Sequence, residues 1–109
     1  MIQHIVMLKL PTGHDTVELQ AIMDGLGDLR SKLAGFKAFA HGPNRDFERK
    51  SADYPYGFIC GFDDADAVEH YANDPDHAAF GARLVALCTG GAEGIMVMDI
   101  EVASEREAT

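Results

Sequence analysis

At 109 residues the chain has room for one domain and one core, and with 47% hydrophobic and 25% charged residues it has the composition of a globular fold, not of a disordered segment. A formal net charge of −9, spread along the whole chain, repels phosphate backbones and argues against nucleic acid as a partner. The longest apolar run, "LVALC" and its surroundings, is far shorter than the roughly 20 residues a membrane span needs, and the first residues lack a signal-type pattern, so the expectation is a cytoplasmic protein without membrane contact.

The first element is "IQHIVMLKL", residues 2–10. Ile2, His4, Val6, Leu8 and Leu10 share one face of an extended chain, and Gln3, Ile5, Met7 and Lys9 share the other, which predicts a strand buried on both sides. "PTGHD" breaks it, and Asp15 with Glu18 has the spacing of a capping box. Leu19, Ile22, Met23, Leu26, Leu29 and Leu33 follow at helical intervals, although Gly25 and Gly27 each cost about 1 kcal/mol against alanine. Gly35 ends that helix. "FKAFAHG" is a second strand, and the polar residues 43–55 form a connection long enough to be a mobile flap or to have a role of its own.

"YGFICGF", residues 56–62, is the third strand. Tyr56, Phe58, Cys60 and Phe62 lie on one face, with Gly57, Ile59 and Gly61 on the other, and a face of glycines admits a second backbone or sheet at close range. "DDADAVEHYA" is a short helix, Asp74-Pro75 resets the chain, and a further helical segment carries Phe80, Leu84, Val85 and Cys88 until "TGG". "GIMVMDIEV" is the last strand. The order β-α-β-β-α-β predicts an α+β, ferredoxin-like fold: a four-stranded antiparallel sheet with helices on one face. The other face would expose Ile5, Met7 and the glycine-rich strand, so a homodimer through the open sheet is expected. The domain spans 1–103, with 104–109 as a solvated tail. Cys60 and Cys88 sit in apolar segments with no framework spacing and read as reduced core thiols.

With Asp74 as N-cap and Pro75 first in the helix, His77 falls in the first turn, on the stripe that continues through Phe80, Leu84 and Cys88. The positive end of the helix dipole disfavours its protonated form, while Asp74 and Asp76 favour it, so the residues leave the net direction open. Two roles fit: a general base near neutral pH, or a core histidine satisfied by neighbouring groups. His4 is a second polar ring on an otherwise apolar face and needs a partner. If the even face of the first strand and the Tyr56/Phe58 face look toward the helices, His4, Tyr56 and His77 converge on one cavity, with Tyr71 joining from the preceding helix. Asp99 alternates with Ile95 and Val97, and either orients a histidine or faces solvent at a sheet edge. No HxH, HExxH or CxxC spacing occurs, and no phosphate or dinucleotide loop, so no metal or cofactor is expected.

"HIVMLKL", "YGFICGFDDADAVEHYANDPDHAAF" and "IMVMDI" together resemble the stress-responsive A/B barrel (Dabb) domain over residues 2–102. The resemblance implies a dimeric α+β barrel. In the plant polyketide cyclase of that family, a linear polyketide thioester is folded by aldol condensation without cofactor or metal. Carried over, its catalytic histidine is His77, the partnering tyrosine is Tyr71, and a further pocket histidine is His4. The expected substrate is then an apolar, polyketide-like carbonyl compound in a pocket between sheet and helices, with Tyr56, Phe58, Phe80 and Leu84 as further lining. Two positions depart from the family pattern: Pro55-Tyr56 replaces a frequent Thr-His, and Asp74-Pro75 replaces a frequent His-Pro. A non-catalytic stress-responsive oligomer and, by fold analogy, a cofactor-free monooxygenase are the competing expectations.

Overall fold

The computed structural model describes residues 1–103, and the tail expected at 104–109 lies outside them. Its elements are β1 (Ile2–Leu8), α1 (Thr16–Asp28), β2 (Phe36–Pro43), β3 (Tyr56–Phe62), α2 (Ala65–Asn73), α3 (Pro75–Leu87) and β4 (Ile95–Glu101). The strands form one sheet in the order β2-β3-β1-β4, every neighbouring pair antiparallel. The chain thus has the ferredoxin-like α+β fold, with three α-helices among the described residues. The apolar alternation of β1 and β3 turns Val6, Leu8, Phe58, Cys60 and Phe62 toward the helices, where they meet Leu19, Ile22, Met23 and Leu26 of α1, Tyr71 of α2 and Leu84 of α3 in one buried core.

β1 ends at Leu8, two residues earlier than its pattern suggests. Lys9 instead braces the connection between α3 and β4, its N–H donating to the Gly94 carbonyl at 2.8 Å and its carbonyl accepting from Thr89 at 2.8 Å. Nor is β1 buried on both sides. Ile5 and Met7 are half-buried, and the same face exposes Ile59, Met96, Met98 and Ile100, at 37–46% of their surface, because no helix lies over it. The glycine face of β3 also serves a nearer neighbour than expected: a Cβ on Gly57 would lie 2.6 Å from Met7 Sδ and 2.8 Å from the Val6 carbonyl, so the glycine makes room for β1.

The capping box at α1 is half formed. Asp15 Oδ1 accepts from the Glu18 N–H at 2.9 Å, but the Glu18 side chain turns away to take a two-pronged bond from Arg83, with Nε at 2.9 Å and Nη2 at 2.6 Å. A charge-assisted bidentate bond outcompetes a single bond back to the backbone, and here it ties α1 to α3. α1 stops at Asp28, and Leu29–Ser31 tighten into a 3-10 turn, so Leu33 lies beyond the helix. The long 43–55 connection is braced by hydrogen bonds among its own residues. Asn44 Nδ2 donates to Ser51 Oγ (2.9 Å) and the Tyr54 carbonyl (2.8 Å), while Asp46 Oδ1 accepts from the N–H of Lys50 (2.8 Å) and of Ser51 (2.9 Å).

Gly25 has a packing reason that the sequence does not show. A Cβ there would lie 2.2 Å from the tip of the Phe80 ring, so the helix gives up propensity to let α3 approach. Gly25→Ala is therefore expected to gain about 1 kcal/mol of helix propensity only in a Phe80→Ala background, and to gain nothing or lose stability with Phe80 present. Urea unfolding of the four proteins measures the difference, and equal effects in both backgrounds would show that the ring does not hold that space.

Candidate active site

The break between α2 and α3 places the central histidine. Asp74 has an extended backbone (φ −71°, ψ 132°), Pro75 opens α3, and Asp74 Oδ2 accepts the His77 N–H at 3.0 Å. His77 therefore starts the stripe that continues through Leu84 and Cys88, both buried. The ring of Tyr71, from the last turn of α2, lies against it with centroids 4.1 Å apart and planes 41° from parallel. Tyr71 is 1% exposed. It is boxed by Phe62 (5.0 Å), Phe36 (5.3 Å) and His4 (5.7 Å), and its hydroxyl has the Cys60 thiol as a weak partner at 3.9 Å.

His4 reaches this cluster from β1. It sits opposite Asp99 in the β1–β4 register, and its Nδ1 donates to Asp99 Oδ1 at 2.6 Å. The His4 side chain is 13% exposed and that of Asp99 47%. Asp99 thus combines the two roles its position suggested, facing solvent on an edge strand and orienting a histidine. His4, Tyr71 and His77 form one continuous set of rings.

Tyr56 does not join them. Its hydroxyl lies 2.6 Å from Nδ1 of His41, four residues along β3 from Cys60, or about 13 Å at the usual rise of a strand. The convergence expected for Tyr56 fails because the even face of the sheet is longer than the cluster, and Leu8 and Val6 fill the distance between. Phe58 is buried against Phe39, at 5.7 Å between centroids. Phe80 packs toward Gly25 of α1 beneath the Arg83 guanidinium, and Leu84 lies in the core. Clefts open elsewhere: one of about 330 Å³ on the open sheet face, beside Ile5, Met7, Gly57 and Ile59, and one of about 480 Å³ between α1 and β2, beside Met23, Phe39 and His41. The rings of His77 and Tyr71 are in contact.

Burial settles the sign that the sequence left open for His77. Its pKa falls below the usual 6.5, chiefly because the ring is desolvated; the Ala72 carbonyl and Asp74 pull it up, and His4 pushes it down. Burial likewise drives the Tyr71 phenol far above its ordinary value and pushes the Cys60 thiol up to about 12, so both remain protonated. Nδ1 of His77 is buried and has no hydrogen-bond partner in the protein, the one such side-chain atom among the described residues. Among these residues no three His, Cys, Asp or Glu side chains gather as a metal site.

One residue with no signal in the sequence stands beside the site. Lys32, just past α1, places its Nζ 2.7 Å from Asp74 Oδ1 and 2.7 Å from Asp76 Oδ2. His41, which the sequence left without a role, is the partner of Tyr56.

The description "Stress Responsive A/B Barrel Domain" matches residues 2–102. A dimeric ferredoxin-like protein of unknown function from Jannaschia sp. CCS1 is 46% identical, with a TM-score of 0.87 over 93% of this chain and 98% of that one. The hydroxynitrile lyase of Passiflora edulis is similar at 14% identity and a TM-score of 0.76, over 94% of each chain. A mutant form of SnoaB, a cofactor-independent oxygenase from Streptomyces nogalater, is similar at 16% identity and a TM-score of 0.72, over 94% of this chain and 93% of that one. These last two likenesses show the fold. No curated protein has significant sequence similarity to the chain.

The depressed pKa of His77 has a consequence for stability. Below the usual 6.5 the unfolded chain takes up a proton that the folded protein refuses, so this contribution is fully present above about pH 6.5 and is lost as the pH falls toward the folded value. His77→Asn is expected to flatten that part of the curve. Urea midpoints of both proteins between pH 5 and 8 provide the check, and parallel curves would contradict it.

Proposed function

We propose that this chain, which belongs to the stress-responsive A/B barrel domain family, is a small cofactor-free enzyme, a cyclase, isomerase or lyase, that moves a proton on an apolar, polyketide-like carbonyl compound. One observation carries the reading: a desolvated imidazole, His77, whose Nδ1 is buried without a protein partner. A neutral imidazole with a free lone pair can take a proton from the carbon beside a carbonyl, and its lowered pKa keeps the lone pair available at neutral pH. Negative charge then grows on the carbonyl oxygen. Tyr71, held protonated by burial and lying on the His77 ring, is the donor in this reading. Tyr71 is 1% exposed and His77 is half-buried, so in this reading a substrate approaches from the His77 side.

The homodimer belongs to the same proposal. The uncovered face carries Ile59, Met96, Met98 and Ile100, an apolar surface of the kind that marks an interface, and the 46% identical Jannaschia protein is described as dimeric. No helix among the described residues is long and apolar enough to cross a membrane, and the two cysteines are free thiols, which supports a cytoplasmic assignment. The close packing of Tyr71 favours a second reading, a non-catalytic stress-responsive oligomer in which these rings serve only the core.

Exchange in D2O separates the two readings. The protein is expected to accelerate deuterium uptake at the carbon beside the carbonyl in at least one of a panel of aryl ketones and β-keto thioesters, and His77→Asn to lose about 100-fold or more of that acceleration. Background rates across the whole panel, with the His77 resonances unmoved by any compound, would leave the non-catalytic oligomer standing. Met98→Glu is expected to turn the dimer into a monomer in sedimentation velocity, and an unchanged dimer would place the interface elsewhere.

A further inference from the structure

We propose that Lys32 is a positioning residue for His77: it holds the carboxylate that caps α3 and offsets part of that carboxylate's charge beside the imidazole, so that His77 stays neutral and fixed in direction. The inference deepens the reading of His77 as a base and rests on it.

The geometry is a chain of three contacts. Asp74 is 6% exposed and is the buried charged side chain among the described residues. Its Oδ2 takes the His77 N–H at 3.0 Å, and its Oδ1 lies 2.7 Å from Lys32 Nζ. The same ammonium lies 2.7 Å from Asp76 Oδ2, so one cation closes the first turn of α3 against the end of α1. Each oxygen of Asp74 is committed, one to the helix and one to the lysine.

Asp74 acts on His77 in two ways that oppose each other. As a cap it fixes the first turn and thereby the direction of the imidazole. As an anion next to a half-buried ring it stabilises the imidazolium, the form that cannot act as a base. Lys32 leaves the first effect in place and offsets the second. The other groups facing the ring are the Ala72 carbonyl and Tyr71 from α2, His4 from β1 with Asp99 of β4 behind it, and Cys60 of β3 behind the Tyr71 ring. Asp76 lies on the outer side of the same turn and shares the lysine. Desolvation by these neighbours lowers the His77 pKa and Asp74 raises it, and the ammonium 2.7 Å from Asp74 Oδ1 is placed to limit what that carboxylate adds. Consistent with a tight pair, Asp74 is held below the usual carboxylate range, chiefly by Lys32, and Lys32 is raised, chiefly by Asp74.

The test is a histidine NMR titration on ligand-free protein, comparing wild type with Lys32→Met, Lys32→Arg and the double variant Lys32→Met/Asp74→Asn. Lys32→Met retains the length of the stem, and Asp74→Asn retains an oxygen to cap the helix. The His77 pKa is expected to rise by about half a unit or more in Lys32→Met, to stay at the wild-type value in Lys32→Arg, and to fall back in the double variant. If Lys32→Met titrates as wild type, or if the double variant keeps the raised value, the proposal is overturned. Because no substrate is present, a failed titration beside successful deuterium exchange removes the role of Lys32 alone, and the reverse removes the enzymatic reading alone.

Discussion

The site depends on one contact, the ring of Tyr71 lying 4.1 Å from that of His77 at the seam between α2 and α3. That contact removes water from one face of the imidazole, and desolvation is the largest cause of the lowered pKa of His77. It also fixes where the phenol goes. With Phe36, Phe62 and His4 closing the other sides, the Tyr71 hydroxyl has a thiol as its neighbour and stays protonated. Desolvation outweighs the Ala72 carbonyl and Asp74, which favour the imidazolium, and burial keeps the phenol protonated, so the pair rests in neutral forms.

The polar groups around the seam are held from outside it. His4 takes its partner from β4, the strand least covered by helices, where Asp99 keeps nearly half of its surface in water. Asp74 takes its partner from Lys32, beyond the end of α1. In both cases a buried or half-buried polar atom is satisfied by a charge that keeps part of its hydration, which lowers the cost of bringing the pair together. The rings are thus positioned from opposite sides by two contacts to charged side chains, one on the sheet and one on the helices.

The rest of the architecture serves to bring those elements to the same place. The break at Asp74-Pro75 turns α3 back across the sheet, and the paired Glu18 and Arg83 side chains, together with the Phe80 ring set against Gly25, lock α3 to α1. The opposite face of the sheet carries mainly apolar side chains and no helix, so the face that would meet a partner is separate from the face that holds the rings. Substitutions on one face of this small sheet can then leave the other face undisturbed.

Much of this was readable in the residues. Alternation along β1 and β3 fixed which side chains enter the core, because a pleated strand leaves no choice of face, and the Asp-Pro step fixed the start of α3 and hence the stripe on which His77 lies. The place of Tyr71 near the end of α2 brought it toward the same cavity, and the resemblance to the family made it the partner of His77. What the residues could not give were distances across the fold. Tyr56 and His4 share a face of the sheet yet lie about 13 Å apart along it, and facing the same way is not touching. Lys32 had no motif to mark it, since its approach to Asp74 depends on where α1 ends relative to α3. The sign of the His77 shift was open for the same reason: helix dipole, carboxylates and burial compete at similar strength, and only the packed arrangement says how much water is lost. Local pattern determined the faces and the breaks of this chain; tertiary packing decided which of the side chains on those faces meet, because contact depends on the separation and closure of whole elements, which no stretch of sequence records.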